Sequence, residues 1–448
     1  MLFRKAYNEL NLWLKTYKTA ILIDGARQVG KTTTVLNFLN KEYSNYVEFN
    51  LIRDIQVRDA FDTSINVSQL MLRLTAFANK EVNKDTIFFI DEVQEAADAL
   101  TKIKFLVQES PNRFIFSGSL LGIKLKNIES VSVGYMSVLR MYPLDFEEFC
   151  LALKVNTSTI NYLKDCFDNK KPVDEMIHKQ MMALFDTYVM IGGMPNAVST
   201  FVETNNLSAV NQKIKDIDQG YLLDISKYDK TDKLNILDIY DLIPSELNNK
   251  NKRFVLKNMN ENARFSKYDS SFVWLKNSGV GLFTYNVDKA MYPLLMSKER
   301  RLFKLFMVDS GLLSYKLFDG NQISILNGDI KVNFGAIYEQ VVAQELASHG
   351  FPLFYLNSKK MGEVDFLIEK DLKVVPIEVK SGKDYYVHSA LNNLISNKNY
   401  NINEAYVLCK SNISVKDKII ELPIYMIMFI KKSDAVNQEL KLDLSRLL

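Results

Sequence analysis

A chain of 448 residues with 47% hydrophobic side chains is long enough for about three domains, each with its own core. Its 56 basic and 53 acidic residues leave a net charge of +3, which excludes a globally basic nucleic-acid binder; any polyanion site has to be a local patch. Cys150, Cys166 and Cys409, like His178, His349 and His388, show no pairing or ligand spacing. That pattern argues against a disulfide framework or a zinc site and fits a reduced, cytoplasmic setting. The apolar stretch from Leu422 to Ile430 is too short to cross a bilayer, so no membrane role is expected.

In chain order, Phe3, Tyr7, Leu10 and Leu14 have helical spacing rather than the pattern of a secretory leader. Five strand candidates follow: Thr19–Asp24, Asn45–Leu51, Thr86–Asp91, Arg113–Ser117 and Met136–Tyr142, separated by helical patterns. This alternation predicts a doubly wound parallel sheet. The first strand feeds into Gly25-Ala26-Arg27-Gln28-Val29-Gly30-Lys31-Thr32-Thr33, followed by a helix-like segment. Gly25 and Gly30 allow backbone conformations that let loop N–H groups wrap phosphates at a helix N-terminus. Lys31 is placed for the β- and γ-phosphates of ATP, and the Thr32 hydroxyl for Mg²⁺.

The third strand ends in Asp91-Glu92. Asp91 is placed to hold Mg²⁺ in the manner of P-loop NTPases, and Glu92 is the natural base for an attacking water. A cap for the next helix is the structural alternative for this acid pair. Ser117-Gly118-Ser119 closes the fourth strand, where Ser117 or Ser119 is positioned either to sense the γ-phosphate or simply to turn the chain. No N-K-x-D motif for guanine is present.

Residues 151–215 read as a helical lid, with Met181, Leu184, Phe185, Tyr188 and Val189 on a core stripe and a Gly192-Gly193-Met194-Pro195 turn. Residues 216–325 read as a winged-helix domain. Ile236, Leu237, Tyr240 and Ile243 share a helix face that Pro244 is expected to end. In the Arg264–Lys276 helix, Phe265, Tyr268, Phe272 and Leu275 point inward and Arg264, Lys267 and Ser271 outward. Val280–Val287 and Phe303–Val308 are the expected wing strands. Such a unit serves DNA or a protein partner equally well.

Residues 326–448 carry a second constellation. Asp365 lies in one strand of a hairpin and Glu378-Val379-Lys380 in the other, with Glu339 on a helix upstream. Alternate residues share a strand face, so Glu378 and Lys380 meet Asp365 in the D…E-x-K order of PD-(D/E)XK nucleases. Glu339, Asp365 and Glu378 would hold a divalent metal, with Lys380 orienting water. The quieter alternative is a Glu378–Lys380 pair on a strand face.

Taken together, the Asp24–Thr33 loop, Phe89-Ile90-Asp91-Glu92-Val93-Gln94 and Ser117-Gly118-Ser119 resemble a bacterial and archaeal family of AAA+-type ATPases with a C-terminal domain of unknown function. The resemblance extends to Tyr142-Pro143-Leu144-Asp145-Phe146-Glu147-Glu148-Phe149, Gly192-Gly193-Met194-Pro195, Asp309-Ser310-Gly311-Leu312-Leu313 and the two strands bearing Asp365 and Glu378. It implies an α/β multidomain chain: a P-loop ATPase domain over 1–150, the lid, the winged helix, and a restriction-endonuclease-like domain. It leaves the oligomeric state and the biological process open. Neither Arg113 nor Arg140 is singled out as an arginine finger.

Overall fold

The computed structural model describes residues 2–432 apart from 62–64, 97–98, 119–133, 227–229, 250–251, 260, 262–263, 327–333 and 383–387. Strands β1 (Ala20–Gly25), β2 (Tyr46–Asn50), β3 (Ile87–Asp91), β4 (Arg113–Ser117) and β5 (Met136–Met141) form a parallel sheet in the order β2-β3-β4-β1-β5. Each strand falls within one residue of its expected span. The reason is the apolar runs themselves. Ile21, Ile23, Ile87, Phe89 and Ile115 enter one core, while Leu22, Phe88, Ile90, Phe114 and Phe116 enter the other. A sheet buried on both faces needs such continuous runs rather than alternation with polar residues. Helix α1 (Ala6–Thr16) contributes Leu10 and Trp13, and α2 (Lys31–Glu42) contributes Val35, Phe38 and Leu39, to the first of these cores.

The region after β5 is helical, as expected, with helices at Phe146–Ala152, Thr157–Asp168, Glu175–Ile191, Pro195–Thr204 and Leu207–Ile225. Asp145 and Glu148 form a reciprocal capping box that starts the first of them. Beyond it, β6 (Gly281–Val287), β7 (Lys298–Met307), β8 (Phe354–Ser358), β9 (Gly362–Lys370), β10 (Lys373–Val379), β11 (Ala405–Cys409), β12 (Ser414–Lys416) and β13 (Ile419–Pro423) build a mixed sheet. Its order is β12-β13-β11-β10-β9-β8-β6-β7. The β9–β10 hairpin turns through Asp371 and Leu372, both left-handed, as a two-residue hairpin loop requires.

Three expectations are corrected. The β6–β7 hairpin is not a free-standing wing: β6 pairs in parallel with β8, so the hairpin forms one end of the C-terminal sheet. Pro244 does not end its helix, which runs from Lys230 to Asn248. Packing overrides the proline there, because Leu247 is buried and Glu246 accepts the Val255 N–H at 2.9 Å and the Asn258 amide. Ser271 faces inward, not outward; it is fully buried between Phe272 and Tyr268 on the Phe265–Asn277 helix. Among the described residues, no helix is long and apolar enough to cross a membrane.

The Gly192-Gly193 turn joins three segments that the sequence lists far apart. The Leu144 N–H donates to Gly193 O at 2.7 Å, and the Gly193 N–H donates to Asp309 Oδ2 at 2.7 Å. A Cβ on Gly193 would lie 2.0 Å from Leu144 O, and one on Gly311 would lie 2.2 Å from Ile191 O. Burial pushes the Asp309 carboxyl up to about 6, despite the backbone N–H donors of Gly193, Leu312 and Gly311. Gly193→Ala must therefore separate packed backbones. It should destabilise the protein by roughly 1–3 kcal/mol or more in chemical denaturation. Gly382→Ala, where a Cβ meets nothing within 4 Å, should leave the transition unchanged.

Candidate nucleotide site and a second acidic pocket

At the carboxyl end of β1, Gly25 has φ +151°, and a Cβ there would lie 2.3 Å from Met141 O. Gly30, at φ +88°, is the left-handed residue that opens α2. Gln28 is also left-handed, so the loop doubles back and turns successive N–H groups toward one concavity. Lys31 Nζ reaches across it to Gly25 O and Ala26 O, both at 3.0 Å. Burial lowers the Lys31 pKa, with Glu92, Asp24 and Asp91 pulling the other way.

The order β1-β4-β3 brings the end of the Asp91 strand beside this loop. Thr32 Oγ1 donates to Asp91 Oδ2 at 2.9 Å. The hydroxyl and carboxylate read as Mg²⁺ ligands thus already face each other, and their oxygen chemistry fits that hard cation. Asn50 Nδ2 also donates to Asp91 Oδ2, at 3.1 Å, and the Ser117 hydroxyl bonds to Asp91 Oδ1. Ser117, expected either to sense the γ-phosphate or to turn the chain, is wholly buried with its hydroxyl on Asp91. Ser119 lies outside the described residues. Sequence reasoning missed Asn50, although its register opposite Asp91 follows from pairing β2 with β3.

Glu92 adopts the left-handed conformation at φ 57°, which non-glycine residues rarely take. This turn lets Asp91 stay in the sheet while Glu92 leaves it to line a cavity of about 360 Å³. Arg27, Gln28, Gly30, Lys31 and Thr32 line the same cavity, as do Pro195 and Asn196 after the glycine turn. The Gln94 amide bonds Glu92 and holds its carboxylate.

The loop is gripped from behind as well. Arg4, also missed from sequence, is buried; its Nη1 donates to Val29 O at 2.8 Å and its Nη2 to Tyr142 O at 2.6 Å. Its Nε meets Glu148 at 3.3 Å. Arg27 pairs with Asp224, and Tyr221 Oη donates to Arg27 O at 3.1 Å, both from the Leu207–Ile225 helix. Arg140 lies 3.9 Å from Asp24 and donates to Lys276 O at 3.1 Å. Arg113 donates to Tyr17 O at 3.1 Å.

In the C-terminal sheet, Asp365, Glu378 and Lys380 do come together. Val379 N–H donates to Asp365 Oδ2 at 2.9 Å, and Lys380 pairs with Glu378 at 2.8 Å. Burial, then the nearby Asp365 charge, pushes the Glu378 carboxyl up to about 8. Glu339 reaches the same pocket from the Gly335–Ser348 helix. Lys304 Nζ stands 3.3 Å from Glu339 Oε2, 2.7 Å from Glu363 Oε1 and 3.6 Å from Asp365 Oδ1. Among the described residues, no three acidic, histidine or cysteine side chains are arranged to hold a metal. Lys304 thus stands among Glu339, Glu363 and Asp365, while Glu378 is paired with Lys380.

A parallel sheet of this order, with a glycine loop on β1 and adjacent acids on β3, defines a P-loop nucleotide-binding domain with an added central strand. Residues 17–150 match the family model described as an AAA domain, in keeping with the P-loop geometry of this part of the chain. Residues 182–322 match a domain of unknown function (DUF8612), and residues 334–427 match a domain of unknown function (DUF4143). The likeness to AAA+-type ATPases with a C-terminal domain of unknown function is thereby borne out. No curated protein matches the chain.

Solved structures similar to the chain include Aeropyrum pernix ORC1 in complex with DNA, at 12% identity, 73% coverage of this chain, 94% of that chain and a TM-score of 0.30. Aeropyrum pernix ORC2 in its ADPNP-ADP complexes gives 12%, 73%, 94% and 0.35. Drosophila ORC bound to DNA gives 14%, 72%, 94% and 0.26.

The Arg4 contacts yield a direct test. Arg4→Met leaves Glu148 buried with a lost partner and should cost about 3–5 kcal/mol in chemical denaturation. Arg4→Lys should recover little of it, because one ammonium cannot reproduce three directed guanidinium donors.

Proposed function

We propose that the chain is a cytoplasmic, Mg²⁺-dependent ATPase whose nucleotide state is passed to a C-terminal module that engages DNA. The observation that carries this reading is the position of the phosphate loop. It lies between catalytic-type residues on one side and the Leu207–Ile225 helix on the other. Lys31 binds the phosphates, Thr32 and Asp91 hold the metal, and Glu92 takes a proton from the attacking water. The metal, when bound, neutralises charge on the phosphate oxygens. Any shift of the loop on phosphate binding pulls on Arg27 and hence on Asp224 and Tyr221. A Cβ on Gly279 would sit 3.1 Å from Ala26 N, so the end of the Phe265–Asn277 helix also abuts the loop.

A local basic patch supports DNA as the target. Lys276 and Lys298 flank the Tyr285 ring at 5.4 and 3.5 Å. The Lys298 pKa is lowered by burial and by the neighbouring Lys276 and Arg300 charges, which places three cations together. Arg264 and Lys267 are exposed on the same helix as Lys276. Such a patch supplies backbone contacts without sequence reading.

Steady-state ATP turnover with and without DNA is the central experiment. Lys31→Ala should abolish tight ATP binding. Glu92→Gln should keep binding but lower turnover by roughly 10²–10⁴-fold, the usual contribution of a general base. Parental turnover in Glu92→Gln would remove Glu92 from that role.

DNA affinity, measured by fluorescence anisotropy, should fall steeply with salt as phosphate contacts release counterions. It should also fall in Arg264→Glu/Lys267→Glu and in Lys298→Glu/Arg300→Glu. Insensitivity to salt and to both pairs of reversals would instead identify the module as a protein-docking surface.

A further inference from the structure

The pocket around Lys304 has a composition that neither the ATPase chemistry nor the basic patch explains. Lys304 is fully buried on β7, and its ammonium group lies 5.1 Å from the Tyr355 ring centroid. Its side chain reaches Glu363 and Asp365 on β9, beyond β6 and β8 in the same sheet, and Glu339 on the Gly335–Ser348 helix. Glu378 adds a fourth carboxyl, and among the described residues its Oε2 is buried without a hydrogen-bond partner. Lys252 also pairs with Glu339, and Lys380 with Glu378.

Carboxylates packed this closely out of water need a cation among them, since isolated buried charge is strongly disfavoured. Either a divalent ion or an ammonium group meets that need. Burial opposes the charge on Lys304, but Glu339, Asp365 and Glu363 outweigh it and hold the proton on.

We propose that Lys304 is a built-in cation that takes the place of a divalent metal among Glu339, Glu363 and Asp365, with Lys252 and Lys380 as further counter-charges, leaving this nuclease-like pocket unable to cut a phosphodiester. An ammonium group neutralises carboxylates, but it neither coordinates a water and lowers its pKa nor acts as a Lewis acid on phosphorus-bound oxygen. The pocket thus ties β7, β9 and the Gly335–Ser348 helix together, and the module binds its target without cleaving it. This inference stands independently of whether that target is DNA or protein.

The test uses the full chain and Mn²⁺ as the probe, followed by calorimetric titration and thermal melting in the absence of nucleotide. The parent protein should show no Mn²⁺ binding that depends on Asp365, and no cleavage of single- or double-stranded DNA with Mg²⁺ or Mn²⁺. Lys304→Ala should melt several degrees lower in EDTA and regain that loss in millimolar Mn²⁺. Lys304→Ala/Asp365→Asn should not respond to the metal. Should Lys304→Ala fail to fold, Lys304→Met/Glu363→Gln removes the cation together with its nearest carboxylate, and should acquire Mn²⁺ binding that the parent lacks. Mn²⁺ binding by the parent that Asp365→Asn abolishes, metal-dependent cleavage by the parent, or a folded variant lacking Lys304 that is indifferent to Mn²⁺ would each overturn the proposal.

Discussion

The meeting of Leu144, Gly193 and Asp309 holds the two halves of this molecule in one arrangement. A loop after β5, the turn between two helices and the end of β7 approach so closely that no side chain fits at residue 193. Each polar group there is satisfied by another segment: Leu144 N–H by Gly193 O, and Gly193 N–H by the Asp309 carboxylate. Around this point the Gly335–Ser348 helix uses polar side chains as backbone partners. Glu345 accepts Phe146 N–H at 2.8 Å, Gln344 accepts Ser310 N–H at 2.9 Å, and Gln340 accepts Met307 N–H at 2.9 Å. Unpaired, each of these buried groups would cost about 1–3 kcal/mol, so the segments are fixed by direction as well as by apolar burial. One hydrophobic core accordingly runs from Leu10 on α1 to Ile430 near the end of the described chain.

That rigidity gives the nucleotide site its reach. The phosphate loop is bonded to the segment just before α1 through Arg4 and to the Leu207–Ile225 helix through Arg27. Arg4 in turn meets Glu148, which belongs to the capping box beside Leu144. The loop is thereby tied to its neighbours by side chains with directed partners. The constellation at the loop is compact for the same reason: Thr32, Asn50 and Ser117, from α2, β2 and β4, all converge on the Asp91 carboxylate.

The C-terminal pocket shows how the same acids acquire different chemistry from their surroundings. Asp365, Glu378 and Lys380 follow the spacing of a metal-dependent nuclease, and the hairpin does bring them together. An electrostatic partner of Asp365 comes from β7, more than fifty residues earlier, where Lys304 reaches over from the far end of the same sheet. A motif defined by spacing specifies which side chains share a face; it does not specify which cation the fold delivers to them.

Sequence alone determined the parallel sheet, the phosphate loop and the Asp91-Glu92 pair, because these depend on local signals. Continuous apolar runs specify strands buried on both faces, glycine spacing specifies a loop that only small residues permit, and adjacent acids mark a strand end. Tertiary structure decided what depends on long-range approach. It carried the helix past Pro244 by burying Leu247 and turned Ser271 inward. It also joined the expected wing to β8, aimed Ser117 at Asp91 and placed Arg4 behind the loop. Those outcomes involve partners tens to hundreds of residues away, and their hydrogen bonds and buried charges leave no periodicity in the chain. Lys304 illustrates the limit: it sits in Arg301-Leu302-Phe303-Lys304-Leu305-Phe306, where nothing local distinguishes a solvent-facing lysine from a buried counter-ion. Only the folded sheet, by surrounding it with Glu339, Glu363 and Asp365, made that choice.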